Sequence, residues 1–167
     1  WDLISIIDPL FTIPLIILAL FSYIKKNKYF TFTAIAYCIL YLSISFHLQQ
    51  KGLELITKEY KDLKIEKLNL KPSLGNISLW RATVADKQNY YFDAIRFTPS
   101  NEPKFIKGST IPRLYIEDTF ANLDVNSKLY KDLLRFKHFS NGYLILHPTI
   151  PNVIGDARYS MIPTENK

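Results

Sequence analysis

The sequence predicts an α+β protein in two parts: an N-terminal two-helix transmembrane hairpin over residues 1–50, then a small, mainly antiparallel α+β domain over residues 51–167. Three observations carry this reading. Two apolar runs open the chain, residues 3–24 and 29–46, each close to the roughly 20 residues a helix needs to cross a bilayer's hydrocarbon core. A single polar cluster, Lys25, Lys26 and Lys28, separates them. Downstream, short alternating stretches bounded by turn residues replace the apolar runs.

The first run contains Pro9 and Pro14, both toward its start. Proline is tolerated in a membrane helix when neighbouring helices or waters satisfy the carbonyls it frees. Asp8 stands directly before Pro9, and a carboxylate at membrane depth costs about 3 kcal/mol. Two readings of Asp8 are open. Pro9 begins the first helical turn and Asp8 caps it at the interface, or Asp8 serves a function.

The second run carries Cys38, the only cysteine, which excludes an intrachain disulfide and a thiolate metal cluster. The lysine loop favours the cytoplasmic side, so the rest of the chain is expected on the other face. Asp8 lies 17 residues before Lys25, and His47 lies 19 residues after Lys28. At 1.5 Å per residue both are about 25–29 Å from the loop, at similar depth on two antiparallel helices. An acid and an imidazole at one level are candidate ligands for a divalent metal ion such as zinc. The plainer reading places each at the headgroups where its span ends.

Past His47 the helix is expected to continue, since Leu48, Leu53, Ile56 and Tyr60 recur at helical spacing, with Gly52 weakening it slightly. Residues 64–70 alternate, and the break comes at 72–75. Residues 77–84 and 90–97 read as two strands joined at a polar turn over 86–89. Residues 99–103, bounded by two prolines, read as loop. Residues 127–136 form a helical stripe with Ser127 as cap, and further strands are expected at 142–146 and 153–161.

The net charge of +6 divides unevenly, because three lysines against Asp2 and Asp8 leave residues 1–50 at +1. The remaining positive charge is interleaved with acids, as on a solvated surface beside anionic lipid. No basic run and no RNP-like motif is present, so nucleic acid is not an expected partner; the lipid bilayer is.

Conventional catalytic signatures are missing from the polar part. There is no phosphate-binding glycine loop, nucleophile elbow or HExxH. His138 and His147 lack acids at ligand spacing, and Glu117 and Asp118 are adjacent and so diverge. Two groupings are candidate binding residues. Trp80 and Arg81 point to opposite faces of one strand, Trp80 reading most simply as core. Asp156 and Arg158 share a strand face and suit an ion pair or a polar partner.

Trp1-Asp2, residues 6–10, Pro14-Leu15, residues 76–81, residues 139–143 and residues 156–159 together resemble the C-terminal half of the YdjM-like family, bacterial inner-membrane proteins described as metal-dependent hydrolases. The resemblance covers most of the chain through short motifs. It implies a multi-pass protein of the bacterial inner membrane, and the lysine loop then puts the extramembrane domain on the outer face. It also implies a missing N-terminal membrane half that carries a pair of histidines with nearby acids, and a chain that is the C-terminal part of a membrane-bound hydrolase. The domain would then cover the site or select the substrate. Asp8 alone carries over as a ligand; His47 is added from depth. A catalytic metal usually takes three protein ligands and an open position, so the chemistry would need the other half. The alternative is a non-catalytic membrane-anchored binding or envelope-assembly module.

Overall fold

The computed structural model describes residues 3–75, 77–98, 101–147, 150 and 152–159. Its architecture is α+β, as the sequence predicts. Helices α1 (Pro9–Lys25) and α2 (Lys28–Glu59) precede strands β1 (Lys67–Pro72), β2 (Leu79–Ala85), β3 (Asn89–Thr98), β4 (Asn101–Ile106) and β5 (Thr110–Pro112). Helices α3 (Ile116–Thr119) and α4 (Lys128–Phe139) and strands β6 (Leu144–Leu146) and β7 (Ile154–Asp156) follow. The first five strands form one sheet in the order β1-β2-β3-β4, with β5 also on β3. β4 and β5 both run antiparallel to β3, β4 along its second half (Ala94↔Ile106) and β5 along its first (Tyr90↔Ile111).

The chain forms two compact units. The first comprises residues 1–62, 70–82 and 93–107. Its hairpin turns on two residues: Lys26 adopts a left-handed conformation (φ 46°) to close α1, and the Asn27 side chain accepts from the Tyr29 N–H to start α2. Beside the turn Phe21 stacks on Phe30, and the Ser22 and Thr31 hydroxyls are 2.8 Å apart. At α1's other end the Asp8 side chain accepts from the Phe11 N–H at 3.2 Å, with Pro9 in the first turn. The capping reading of Asp8 is therefore correct.

Helix α2 does not stop where its apolar stretch ends; its 32 residues span about 48 Å and run straight through the expected domain boundary at residue 50. Its polar second half is seated on the sheet at Gly52. A Cβ there would meet Leu70 Cδ2 at 2.7 Å and Ile95 Cδ1 at 3.4 Å. Ile56, one turn on, is fully buried, as are Ile95 and Trp80. Glycine is needed here for close approach, not for backbone freedom.

The second unit comprises residues 63–69, 83–92 and 108–167. One apolar cluster joins Ala85, Tyr90, Tyr143, Ile145 and Ala157; another joins Leu114, Ile116, Leu133 and Leu144. The α4 stripe supplies Leu133, and Ser127 caps the helix by accepting from the Tyr130 N–H, as its sequence predicts. The turn at 86–89 is held by Asp86, whose carboxylate accepts from the N–H groups of Gln88 (2.7 Å) and Asn89 (2.6 Å) and from the Tyr91 hydroxyl (2.9 Å).

Three expectations need correcting. Residues 101–103 belong to β4 rather than to a loop, because β4 is an edge strand, where Pro103 interrupts no ladder on its outer side. β1 begins at Lys67, three residues into the alternating stretch, and ends at Pro72, where the break is expected. The last strand is three residues long, a turn occupying 157–159; positions 160 and 161 of the expected strand lie outside the described residues.

Candidate functional site

In the first unit the hairpin has an inverted surface. Its outer faces are apolar and exposed, with Leu10, Ile13, Ile17 and Leu20 on α1 and Phe32, Ile35, Ile39 and Phe46 on α2. Polar groups line the seam between the helices. Tyr37, Tyr41 and Ser45 recur every fourth residue along one face of α2, and each donates to the segment opposite. Tyr37 bonds the Leu10 carbonyl (2.5 Å), Tyr41 bonds Asp8 Oδ2 (2.5 Å), and Ser45 bonds the Leu3 carbonyl. Phe11 packs on the Tyr41 ring, centroids 5.1 Å apart. A helix of a water-soluble core buries its apolar side and solvates its polar one. Here the order is reversed, the polar side turned to the seam and the apolar side outward. Between Lys28 and Lys51, α2 carries no Asp, Glu, Lys or Arg, and α2 is long and apolar enough to cross a membrane.

Asp8 is buried, and both of its oxygens are occupied, Oδ1 by the Phe11 N–H and Oδ2 by the Tyr41 hydroxyl. His47 is exposed on α2. Among the described residues no group of three or more His, Cys, Asp or Glu side chains could hold a metal ion. The donor set present does not fit a resident divalent metal such as zinc.

Where the apolar half of α2 gives way to its polar half, the first unit has a groove of about 430 Å³. Ile44, Leu48, Ile77 and Phe97 line it, and Lys51 and Glu102 stand at its edge. The volume lies within the range of about 300–1,000 Å³ usual for small-molecule sites. The β3–β4 register slips between Arg96 and Thr98, a bulge that bends the strand beside Phe97. Trp80, which the sequence offers as binding or core, is core: fully buried, with Nε1 donating to the Ile77 carbonyl at 2.7 Å. Its neighbour Arg81 is half-buried on the opposite face of β2.

The second unit holds a cation–tyrosine stack. Tyr90 and Tyr143 stack with centroids 5.7 Å apart. Lys67 Nζ lies 5.0 Å and Arg158 Cζ 5.5 Å from the Tyr143 ring, and Arg113 Cζ lies 5.5 Å from the Tyr90 ring. Asp156 and Arg158 form the expected ion pair at 2.6 Å, Arg158 Nε and Nη2 forking onto the carboxylate. Arg113 pairs with Glu66 at 2.6 Å. Lys67 donates to the Asn141 carbonyl at 2.6 Å, and burial, then the neighbouring Arg113, hold its ammonium below the usual lysine range. Burial pushes the Tyr90 hydroxyl up to about 12. Each charge except Lys67 has a counter-charge, so the stack reads as a latch on the turn after α4. Lys67, Arg113, Tyr90 and Tyr143 carry no sequence signal, because the contacts join residues as far apart as Lys67 and Tyr143.

No family model, curated protein or solved structure matches this chain.

Proposed function

We propose that the chain is a non-catalytic, membrane-anchored binding module. α1 and α2 would cross the bilayer together as a multi-pass hairpin in a bacterial inner membrane, with the lysine loop in the cytoplasm and the sheet on the outer face. The inverted hairpin carries this reading: apolar faces outward, with hydroxyls, a carboxylate and backbone carbonyls bonded in the seam. α1 alone spans about 25 Å, and the coil of residues 3–8, tied to α2 through Ser45 and Tyr41, supports its entry end. The sheet of the first unit is fixed to α2 through Gly52 and Ile56, so the anchor and that surface move as one piece.

The hydrolase reading rests on the resemblance to the YdjM-like family. Its one carried-over ligand, Asp8, is spent on capping and on Tyr41. The binding reading accounts for Asp8, Tyr37, Tyr41 and Ser45 as contacts that hold the seam.

Sidedness tests the proposal. In a Cys38→Ser background, Lys26→Cys and Lys104→Cys are labelled with a membrane-impermeant maleimide on intact spheroplasts. Lys104→Cys should label at once and Lys26→Cys only after permeabilisation. Labelling of both from one side, or release of the protein by alkaline carbonate, would refute the anchor.

A further inference from the structure

We propose that the groove beside α2 is a binding site for one phospholipid of the surrounding bilayer with a zwitterionic, primary-amine headgroup, a phosphatidylethanolamine. The proposal rests on the anchor reading above, and it concerns what the anchored surface holds.

Depth is the first argument. Counting from Lys28, the roughly 30 Å hydrocarbon core is used up after about 20 residues, near Leu48. Ile44 and Leu48, on the groove wall, therefore stand just inside the hydrocarbon boundary, and Lys51, about 5 Å further along the helix, stands among the headgroups. Ile44, on the groove wall, is itself exposed within the apolar stretch of α2. A lipid chain can enter it without crossing water.

Charge is the second. The edge offers one cation and one anion. Lys51 and Glu102 are both exposed, they do not pair with each other, and neither has an ion-pair or hydrogen-bond partner among the described residues. Elsewhere in this unit Lys107 pairs with Glu59 at 2.8 Å. An ammonium and a carboxylate flanking one apolar groove complement a phosphate and an ammonium attached to one acyl chain. A phosphoglycerol headgroup would satisfy Lys51 and leave Glu102 repelled. A quaternary choline would bring charge but no N–H to donate to Glu102.

Ser78 and Thr98 complete the groove near the bulge in β3. Glu54 and Lys58 lie about one and two turns beyond Lys51 on α2, in an adjoining hollow of about 250 Å³ that shares Lys51, Glu102 and Pro103 with the groove.

The test is native mass spectrometry of the full chain released from nanodiscs of equimolar phosphatidylethanolamine, phosphatidylcholine and phosphatidylglycerol with matched chains. The expected result is one retained phosphatidylethanolamine per protein, enriched about tenfold over the other two, with the enrichment lost in the Lys51→Ala/Glu102→Gln double variant. Both positions are exposed, so the double variant should fold, and circular dichroism checks that it does. Retention at bulk proportions, or equal enrichment in the variant, would overturn the lipid site while leaving the anchor intact. A chain that never enters the nanodiscs would overturn both.

Discussion

Tyr37 donates its hydroxyl hydrogen to the carbonyl of Leu10 at 2.5 Å, and Leu10 is the residue four before Pro14. A proline has no N–H, so the carbonyl one turn upstream loses its helical partner. In water such a carbonyl is solvated; in hydrocarbon it has only what a neighbouring helix offers. Tyr37 on α2 therefore makes Pro14 tolerable in α1. Tyr37→Phe should destabilise the hairpin by about 1 kcal/mol, and the cost should largely vanish in a Pro14→Ala background. Denaturation of the reconstituted protein in a double-mutant cycle measures the coupling. Additive effects would mean that the two residues act independently.

Asp8 joins the same seam one turn nearer the end. Asp8→Ala removes both the cap on Phe11 and the bond from Tyr41, and should cost about 2 kcal/mol. Asn caps as well as Asp, and its amide can still meet the Tyr41 hydroxyl, so Asp8→Asn should lose under about 0.5 kcal/mol. Metal content of the purified chain, read by plasma mass spectrometry, should be the same for both variants and the wild type. A metal lost specifically in Asp8→Asn would restore the ligand reading.

Gly52 sets two effects against each other. Alanine would gain about 1 kcal/mol of helix propensity but bring a methyl within 2.7 Å of Leu70 Cδ2, so Gly52→Ala should be close to neutral. Gly52→Val adds branches where Ile95 and Phe97 already close the space, and should cost about 2–3 kcal/mol. Thermal unfolding in detergent separates the two variants; equal melting points would place the helix further from the sheet than this.

The turn at Asp86 gives a pH dependence of known sign. Burial alone would raise its carboxyl, but the N–H groups of Asn89 and Gln88 and the Tyr91 hydroxyl outweigh it and hold it below the usual carboxylate range. A depressed group contributes stability that is full above its unfolded value of about 3.9 and is lost as pH falls through the lower folded value. Unfolding free energy should therefore decline below about pH 4 in the wild type, and part of that decline should be missing in Asp86→Ala. Identical slopes would show that Asp86 contributes nothing.

Much of this arrangement was legible in the residues. Apolar runs of span length gave the hairpin, and the Asp8-Pro9 and Ser127 caps, the Asp86 turn and the alternation in β2 and β3 were readable because each signal is local. Asp156 and Arg158, two apart on one stretch, were readable as a pair for the same reason. β4 was hidden by Pro103, which reads as a breaker unless the strand is known to lie at an edge. The stack of Lys67 and Arg158 on Tyr143 was hidden by sequence distance. So was the groove, whose walls come from α2, the β1–β2 connection and β3. The role of Tyr37 in covering Pro14's carbonyl needs the antiparallel register of the two helices, and hydropathy alone does not set it.

The central claim is that the apolar outer face of the hairpin faces lipid. Ile39, 61 % exposed at mid-span of α2, tests it most directly. A spin label on Ile39→Cys, in a Cys38→Ser background and reconstituted in liposomes, reports collisions with oxygen and with a water-soluble nickel chelate. High oxygen and low nickel accessibility are expected, because the site sits in hydrocarbon. Nickel accessibility matching that of a label at exposed Lys104 would put this face in water and contradict the anchor.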